Sequence, residues 1–320
     1  MTLALAVSEL RRLTPTIKSY RLVAQGGGDL PAFAAGAHLD IAVTLPDGSA
    51  ARRSYSIASD LAERRHYEIG VLREAAGTGG SAFMHDRVRE GDVLFSTLPK
   101  NDFPLTTTAR HHVLIAGGIG ITPLLAMARA LAGARTSFEL HYSARQVEEM
   151  AFRPEVEAVC GRRATCYFDG GDPRRGVDLA RLLAVPLADR HVYVCGPSGM
   201  IASVRDLARS AGWAPETVHF EVFATAAAQT GDWPIEVVLK RSGRIIAVPS
   251  DMTILDALIA AGEDPLYDCK RGECGVCTTA VLDGTPLHRD YNLTEGERAA
   301  GKSMCICVSR AVTPRLVLDL

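Results

Sequence analysis

The stretch DCKRGECGVC, residues 268 to 277, crowds three cysteines together, and their spacing limits what they can do. Cys269, Cys274 and Cys277 form C-x4-C-x2-C, and Cys307 follows after 29 further residues. Four thiolates at this spacing suit a 2Fe–2S cluster, which takes four cysteine ligands. Gly272 and Gly275 let the backbone curl so that N–H groups can face sulfur, and neither adds a Cβ that blocks the approach. Lys270 and Arg271 can offset thiolate charge. Zinc is the first alternative, but its second ligand pair would be Cys305 and Cys307, a C-x-C that suits a zinc site poorly. Inert buried thiols or a thiol–disulfide pair are the bland alternatives. For the fourth ligand, spacing favours Cys307 over Cys305.

Such a cluster exchanges one electron at a time, so something must load it. Upstream, RRSYS places Arg53, Ser54, Tyr55 and Ser56 on one strand. Arg offers a fork for phosphate, and alternation sends Tyr55 to one face and Ser54 and Ser56 to the other. Taken alone, an Arg and a Tyr on a strand are surface and core. The loop GTGGSAF at 77–83 puts Gly79, Gly80 and Ser81 at a helix start, where N–H groups can receive an anion; its bland counterpart is an ordinary glycine loop. Further on, HHVLIAGGIGITPLLAMARAL reads as strand, glycine turn (Gly117, Gly118, Gly120) and helix. Thr122 is the expected N-cap and Pro123 the first helical residue. Pro123 stands where the dinucleotide fingerprint has its third glycine, so the standard Rossmann motif is not met. In VYVCGPSGM, Cys195, Gly196 and Pro197 end an apolar strand. An arbitrary cysteine there is a buried thiol; at the C-terminal end of a parallel strand it stands where ligands bind. Asp169 ends the strand TCYF; were a nucleotide ribose to bind there, a carboxylate would repel a 2′-phosphate and could accept from a ribose hydroxyl. Arg145 and Arg174 nearby work against that preference.

The elements that must position these residues fall into three segments. Residues 1–105 hold short runs rich in β-branched and aromatic residues, such as KSYRLVA and HYEIGVLRE, with turns at Asp47-Gly48 and the glycine loop. That pattern favours a small antiparallel barrel. Residues 106–223 alternate strands with helical stretches, which implies a parallel α/β sheet. Residues 224–232, ATAAAQTGD, lack large apolar side chains and read as a linker. Residues 233–320 begin with a hairpin turning at Ser242-Gly243. A helix follows, with Ser250 or Asp251 as N-cap and Gly262 as its stop, and RLVLDL closes the chain as a strand. The chain has 320 residues, 47% of them hydrophobic, and a net charge of −2, which offers nucleic acid no basic field. No apolar run reaches the ~20 residues of a membrane span. Eight cysteines without a secretion-type leader fit the cytoplasm.

These motifs carry a resemblance. R-x-Y-S at 53–56 is similar to the flavin signature of the ferredoxin–NADP reductase superfamily. There the Arg holds flavin phosphate, the aromatic residue packs along the flavin, and the hydroxyl lies near flavin N5. A G-x-G-G-S loop such as 77–81 goes with FMN rather than FAD. The turn at 117–123 resembles the superfamily's pyrophosphate cradle. Cys195-Gly196-Pro197 resembles its nicotinamide bed, and Phe223 matches an aromatic residue that lies near the flavin; a junction core aromatic is the bland reading of that position. Residues 233–320 resemble plant-type ferredoxins, which implies a β-grasp fold, and CVSR from Cys307 is similar to that family's C-x-S-R. In this order of segments the whole chain resembles the phthalate dioxygenase reductase family. The resemblance implies an NADH-dependent oxidoreductase with FMN and a 2Fe–2S cluster, in which Ser56, Cys195 and Phe223 line the site of flavin reduction. The acceptor would be a terminal oxygenase acting on an aromatic acid, and the reductase a monomer. A stand-alone flavin reductase for small acceptors and an iron–sulfur redox sensor remain as alternatives.

Overall fold

A computed structural model describes residues 2–75, 77–187, 189–223 and 231–320. The expected linker at 224–232 therefore lies, through residue 230, outside the described residues. The chain divides into two compact units, Met1–Glu221 and Val222–Leu320.

The first unit opens with six strands: β1 (Thr2–Arg12), β2 (Ile17–Ala24), β3 (His38–Thr44), β4 (Ala50–Ser56), β5 (Tyr67–Leu72) and β6 (Val93–Thr97). They form one antiparallel sheet in the order β4-β3-β6-β1-β2-β5. A bridge between Ile57 and Ile69 joins the ends of the two edge strands, so the sheet curls toward closure and leaves few free edges. Leu5, Leu22, Leu39, Ile41, Ile57 and Ile69 fill its interior. Alternation on β4 follows the pleat, with odd-numbered side chains half-buried and even-numbered ones exposed until Ser56, which is buried. Helix α1 (Gly80–Asp86) follows the glycine loop between β5 and β6.

Five strands continue the unit: β7 (His111–Gly117), β8 (Ser137–Ala144), β9 (Ala164–Phe168), β10 (Arg190–Cys195) and β11 (Val218–Glu221). All pairs are parallel, in the order β11-β10-β7-β8-β9. The crossovers are α2 (Ile121–Gly133), α3 (Arg153–Cys160), α4 (Leu179–Leu182) and α5 (Ser198–Ala211). A parallel sheet covered on its faces needs apolar strands, and β7 is buried from its second residue onward. Its core takes in Ile17, Ala35, Ala58 and Phe103 from the first 105 residues, so the two sheets pack as one body.

The second unit holds β12 (Ile235–Leu239), β13 (Ile245–Val248), β14 (Thr278–Asp283), β15 (Pro286–Leu287), β16 (Ser303–Cys305), β17 (Arg310–Ala311) and β18 (Arg315–Leu318). Five of these make a mixed sheet in the order β13-β12-β18-β14-β16, while β15 pairs with β17. Helix α6 (Ile254–Ala260) buries Ile254, Leu255, Ala257 and Leu258, and α7 (Glu295–Ala300) lies near β16. The sheet grasping one helix is the β-grasp arrangement expected of the segment. The hairpin turn falls at Gly243 with φ 70°, as the sequence suggested.

Two helix starts differ from expectation. Helix α2 begins at Ile121 with Gly120 as its cap, so Thr122 is not the N-cap; it is buried inside the first turn and donates to Ile119 O at 3.0 Å. A 3-10 turn over Gly118–Gly120 starts the coil early, which carries Thr122 and Pro123 inward by a residue or two. Helix α6 is capped by Thr253, whose hydroxyl accepts from Asp256 N at 3.0 Å, not by Ser250 or Asp251. A threonine three residues before an aspartate is the better cap because its hydroxyl reaches the N3 amide.

Candidate functional site

Arg53 and the glycine loop meet. The Arg53 guanidinium donates to the Thr78 hydroxyl, and an added Cβ at Gly80 would stand 2.6 Å from Arg53 Nε. Gly79 adopts φ 96°, a left-handed conformation that glycine takes without strain, and precedes α1 as its cap. The guanidinium thus stands directly against the glycine loop, the pairing of groups that an anion such as a phosphate requires. Ser81 is otherwise engaged, its hydroxyl accepting from Glu74 N at 3.0 Å. Ser54 likewise gives its hydroxyl to Asp40 at 2.7 Å. Tyr55 is half-buried, and its hydroxyl is buried with no partner among the described residues. Burial pushes the Tyr55 phenol up, so the ring stays neutral. A neutral aromatic face with an orphaned hydroxyl, beside an anion cradle, fits a flavin that carries a phosphate.

Ser56 ends β4 and points into the unit. Its hydroxyl lies 3.4 Å from Glu221 Oε2, and both residues are buried. Glu221 is the register partner of Cys195 on the neighbouring strand, which gathers Ser56, Glu221 and Cys195 at the C-terminal end of β10. Sequence reasoning did not find Glu221, since one glutamate in HFEVFAT has no spacing partner to mark it.

The glycine turn and the Cys195 segment interlock. An added Cβ at Gly120 would stand 2.1 Å from Cys195 O, and one at Gly117 would stand 2.6 Å from Pro197 Cδ. One at Gly196 would come within 3.0 Å of Gly117 Cα. Gly118 has φ 55° and open space around it. Main chain packed on main chain, with a helix starting behind it, is a surface that a diphosphate can approach closely. On the next strands, Asp169 N donates to Ala144 O and Gly170 N to Arg145 O, tying the two loops after β8 and β9 together. The Asp169 carboxylate accepts from Gly171 N at 2.7 Å. Arg174 is held by Asp172 through two hydrogen bonds of 2.9 Å, so its charge is answered locally. Phe223 lies beyond the boundary of the first unit and is 38% exposed.

In the second unit, Arg271 N and Cys274 N both point at Cys269 Sγ, at 3.3 and 3.5 Å. Gly272 and Gly275 have φ 77° and 74°. An added Cβ would meet Val308 Cγ2 at 2.8 Å in the first case and the Asn292 amide at 2.6 Å in the second, so the curl is closely packed around. The thiols associate in two sets: Cys269 with Cys274, and Cys277 with Cys307 and Cys305. Among the described residues no three His, Cys, Asp or Glu side chains are grouped to hold a single metal ion. Cys269 with Cys274 and Cys277 with Cys307 would give a two-iron cluster one pair of thiols for each iron, with Cys305 beside the second pair as a fifth thiol. The Cys305 hydrogen bond lowers the Cys277 thiol, but Cys307 and burial outweigh it and push the thiol up to about 12. Lys270 and Arg271 are not spare charge: Lys270 pairs with Asp256 at 2.9 Å and Arg271 with Glu273 at 3.1 Å.

Comparison with known proteins shows the family of the chain. Residues 237–312 match the family model described as a 2Fe-2S iron-sulfur cluster binding domain. The chain is 40% identical over 317 residues to a vanillate O-demethylase oxidoreductase of Pseudomonas sp. (strain HR199 / DSM 7063), covering 98% of both chains. It is 40% identical over 321 residues to the phthalate dioxygenase reductase of Burkholderia cepacia, covering 99% of this chain and 97% of that one. A solved structure of phthalate dioxygenase reductase, described as modular for electron transfer from pyridine nucleotides to [2Fe–2S], superposes with a TM-score of 0.76 at 38% identity. The match covers 100% of this chain and 98% of that one.

Proposed function

The chain belongs to the phthalate dioxygenase reductase family, and from that premise we propose a specific division of labour among its residues. It is an oxidoreductase, the reductase component of an oxygenase system, and its cofactors are FMN, NADH and a 2Fe–2S cluster. Bound NADH would supply an electron pair, FMN a group able to hold one or two electrons, and the 2Fe–2S cluster a one-electron exit.

Arg53 and the amides of Gly79, Gly80 and Ser81 hold the FMN phosphate, and Tyr55 lies along the ring system. Ser54 braces this strand through Asp40. Gly117, Gly118 and Gly120, with Thr122 and Pro123 behind them, hold the NADH diphosphate. Cys195, Gly196 and Pro197 form the bed for the nicotinamide. Ser56 and Glu221 would offer a hydroxyl and a carboxylate beside the nicotinamide bed, and Phe223 would be the aromatic residue near the flavin. Asp169 accepts from the adenosine ribose and disfavours NADPH. Cys269, Cys274, Cys277 and Cys307 ligate the cluster. Residues 1–105 serve as the flavin domain, 106–223 as the nicotinamide domain and 233–320 as the ferredoxin domain, joined by 224–232.

The partner is a terminal oxygenase of the Rieske type that acts on an aromatic acid by ring hydroxylation or O-demethylation. The reductase works in the cytoplasm as a monomer that meets its partner transiently. Among the described residues no helix is long and apolar enough to cross a membrane, and all eight cysteines are free thiols.

The observation that carries this reading is the interlock of the 117–120 turn with Cys195–Gly196, beside the Ser56–Glu221 pair. The test is to release the flavin for chromatography, assay iron and sulfide, and compare kcat/KM for NADH and NADPH. FMN, a 2Fe–2S stoichiometry and a clear NADH preference are expected. FAD, zinc in place of iron, or equal kcat/KM values would overturn it.

A further inference from the structure

The two cofactor cradles of the first unit sit on different sheets, yet flavin and nicotinamide must meet within about 3.5 Å to react. Something must fix the height of the glycine turn over the flavin strand. Gly70 on β5 is where the first sheet meets the glycine turn and the helix starts beside it: an added Cβ there would stand 2.9 Å from Phe152 Cε2, 2.9 Å from Thr122 Cγ2 and 3.0 Å from Ile119 Cδ1. Its neighbour Ile69 bridges to Ile57, the residue after Ser56. The flavin strand and the nucleotide turn are thus one side-chain layer apart, and only glycine admits that layer.

Phe152 is held there by an unusual backbone. It is 1% exposed and has φ 56°, a left-handed conformation that costs a non-glycine residue energy. Behind it, the buried Tyr142 hydroxyl faces two carbonyls, Gly118 O at 3.0 Å and Ala151 O at 3.1 Å. One hydroxyl proton is shared between the glycine turn and the residue before Phe152. The series Gly118, Tyr142, Ala151, Phe152, Gly70, Ile69, Ile57 therefore runs from the glycine turn to the residue that follows Ser56 on the flavin strand.

We infer that Tyr142 and Phe152 are positioning residues: they set the spacing between the nucleotide turn and the flavin strand, and so the fit of nicotinamide to flavin. The inference rests on the proposed NADH and FMN sites. Neither residue is among those proposed to hold FMN or NADH. Strain at Phe152 is tolerated because the layer it completes must be rigid.

The test uses the full holoprotein. Tyr142→Phe keeps the ring and removes the hydroxyl that steadies Gly118. Gly70→Ala leaves the turn's own bonds intact and wedges the layer open. Three quantities are read for each: the saturated rate of flavin reduction by NADH in stopped flow, the NAD⁺ dissociation constant by calorimetry, and Tm with flavin content. Gly70→Ala is expected to slow the saturated rate about tenfold while the dissociation constant moves less than twofold. Tyr142→Phe is expected to weaken NAD⁺ several-fold and to slow the saturated rate as well. Should Gly70→Ala not retain flavin, Thr122→Ser deletes the methyl facing Gly70, keeps the hydroxyl on Ile119, and is expected to lower the saturated rate from the other side. Saturated rates per flavin within twofold of the parent in these variants, whatever the change in Tm, would overturn the inference. A parent protein that binds no NAD⁺ or is not reduced by NADH would instead overturn the proposed function, so the two failures are distinct.

Discussion

Replacing Gly120 by alanine tests the nucleotide site at its tightest point. The new Cβ would lie 2.1 Å from Cys195 O, 2.4 Å from Cys195 C and 2.8 Å from Gly196 N. A carbon resting on a carbonyl oxygen needs roughly 3.3 Å or more, so the turn and the β10 terminus must part by about 1 Å. Neither side gives easily: Cys195 is 1% exposed and its strand is hydrogen-bonded on both sides. Overpacking of this kind costs about 1–3 kcal/mol, and 1 kcal/mol shifts the Tm of a body this size by about 2–4 °C. A drop of several degrees is expected. The functional effect is larger, because a misplacement of about 1 Å at a reacting pair costs on the order of 100-fold in rate. Stopped-flow reduction of the flavin by NADH is the assay, with flavin and cluster absorbance as controls. Gly118→Ala is the comparison: it meets open space and adds only the strain of φ 55°, about 1–2 kcal/mol. It should lower Tm and slow reduction only a few-fold. Parental rates in Gly120→Ala, or equal losses in the two variants, would refute the claim that this turn and Cys195 share one site.

Cys305 sits in β16 opposite Thr278, with its thiol 3.4 Å from the Thr278 hydroxyl, whereas Cys307 lies past the strand end. Cys305→Ser should keep the cluster's absorption and spin signal, and Cys307→Ser should lose or distort them; the reverse result would exchange the two ligands. His219 stacks on Tyr193 at 4.4 Å and on His191 at 5.2 Å, and burial, then the charges of His191 and His112, press its imidazole down to about 4. The unfolded chain, with His near 6.5, binds the extra proton first, so stability should fall as pH drops from about 6.5 toward 4. His219→Gln should flatten that slope in urea melts at pH 7.5 and 5, and an unchanged slope would place the titration elsewhere.

The cluster loop was legible because its chemistry fixes its spacing. The parallel sheet was legible because buried strands must be apolar throughout. Boundaries set by tertiary packing were harder to read. Thr122 has the look of a cap, but the 3-10 turn starts α2 ahead of it. Thr253 caps α6 through a pattern three residues long that the nearby Ser250 and Asp251 overshadowed, and α7, capped by Thr294 in the same way, is too short to leave a clear period. Glu221 and Tyr142 act through strand register and a shared hydroxyl, and neither leaves a mark in local sequence. The sequence offers Lys270 and Arg271 as charges to offset the thiolates, and their partners Asp256 and Glu273 are recognisable only once the loop is folded.

The central claim is that electrons enter through residues 1–223 and leave through the cluster at 233–320. Its most direct test compares the full chain with one ending after Phe223, each assayed with NADH and ferricyanide and then with an aromatic-acid oxygenase. The first unit has its own cores and sheets, so the shortened chain should fold, hold FMN and reduce ferricyanide, yet fail to drive the oxygenase. If it drives the oxygenase at near the full rate, the cysteine cluster is not the exit and the assignment of Cys269, Cys274, Cys277 and Cys307 to electron delivery is wrong.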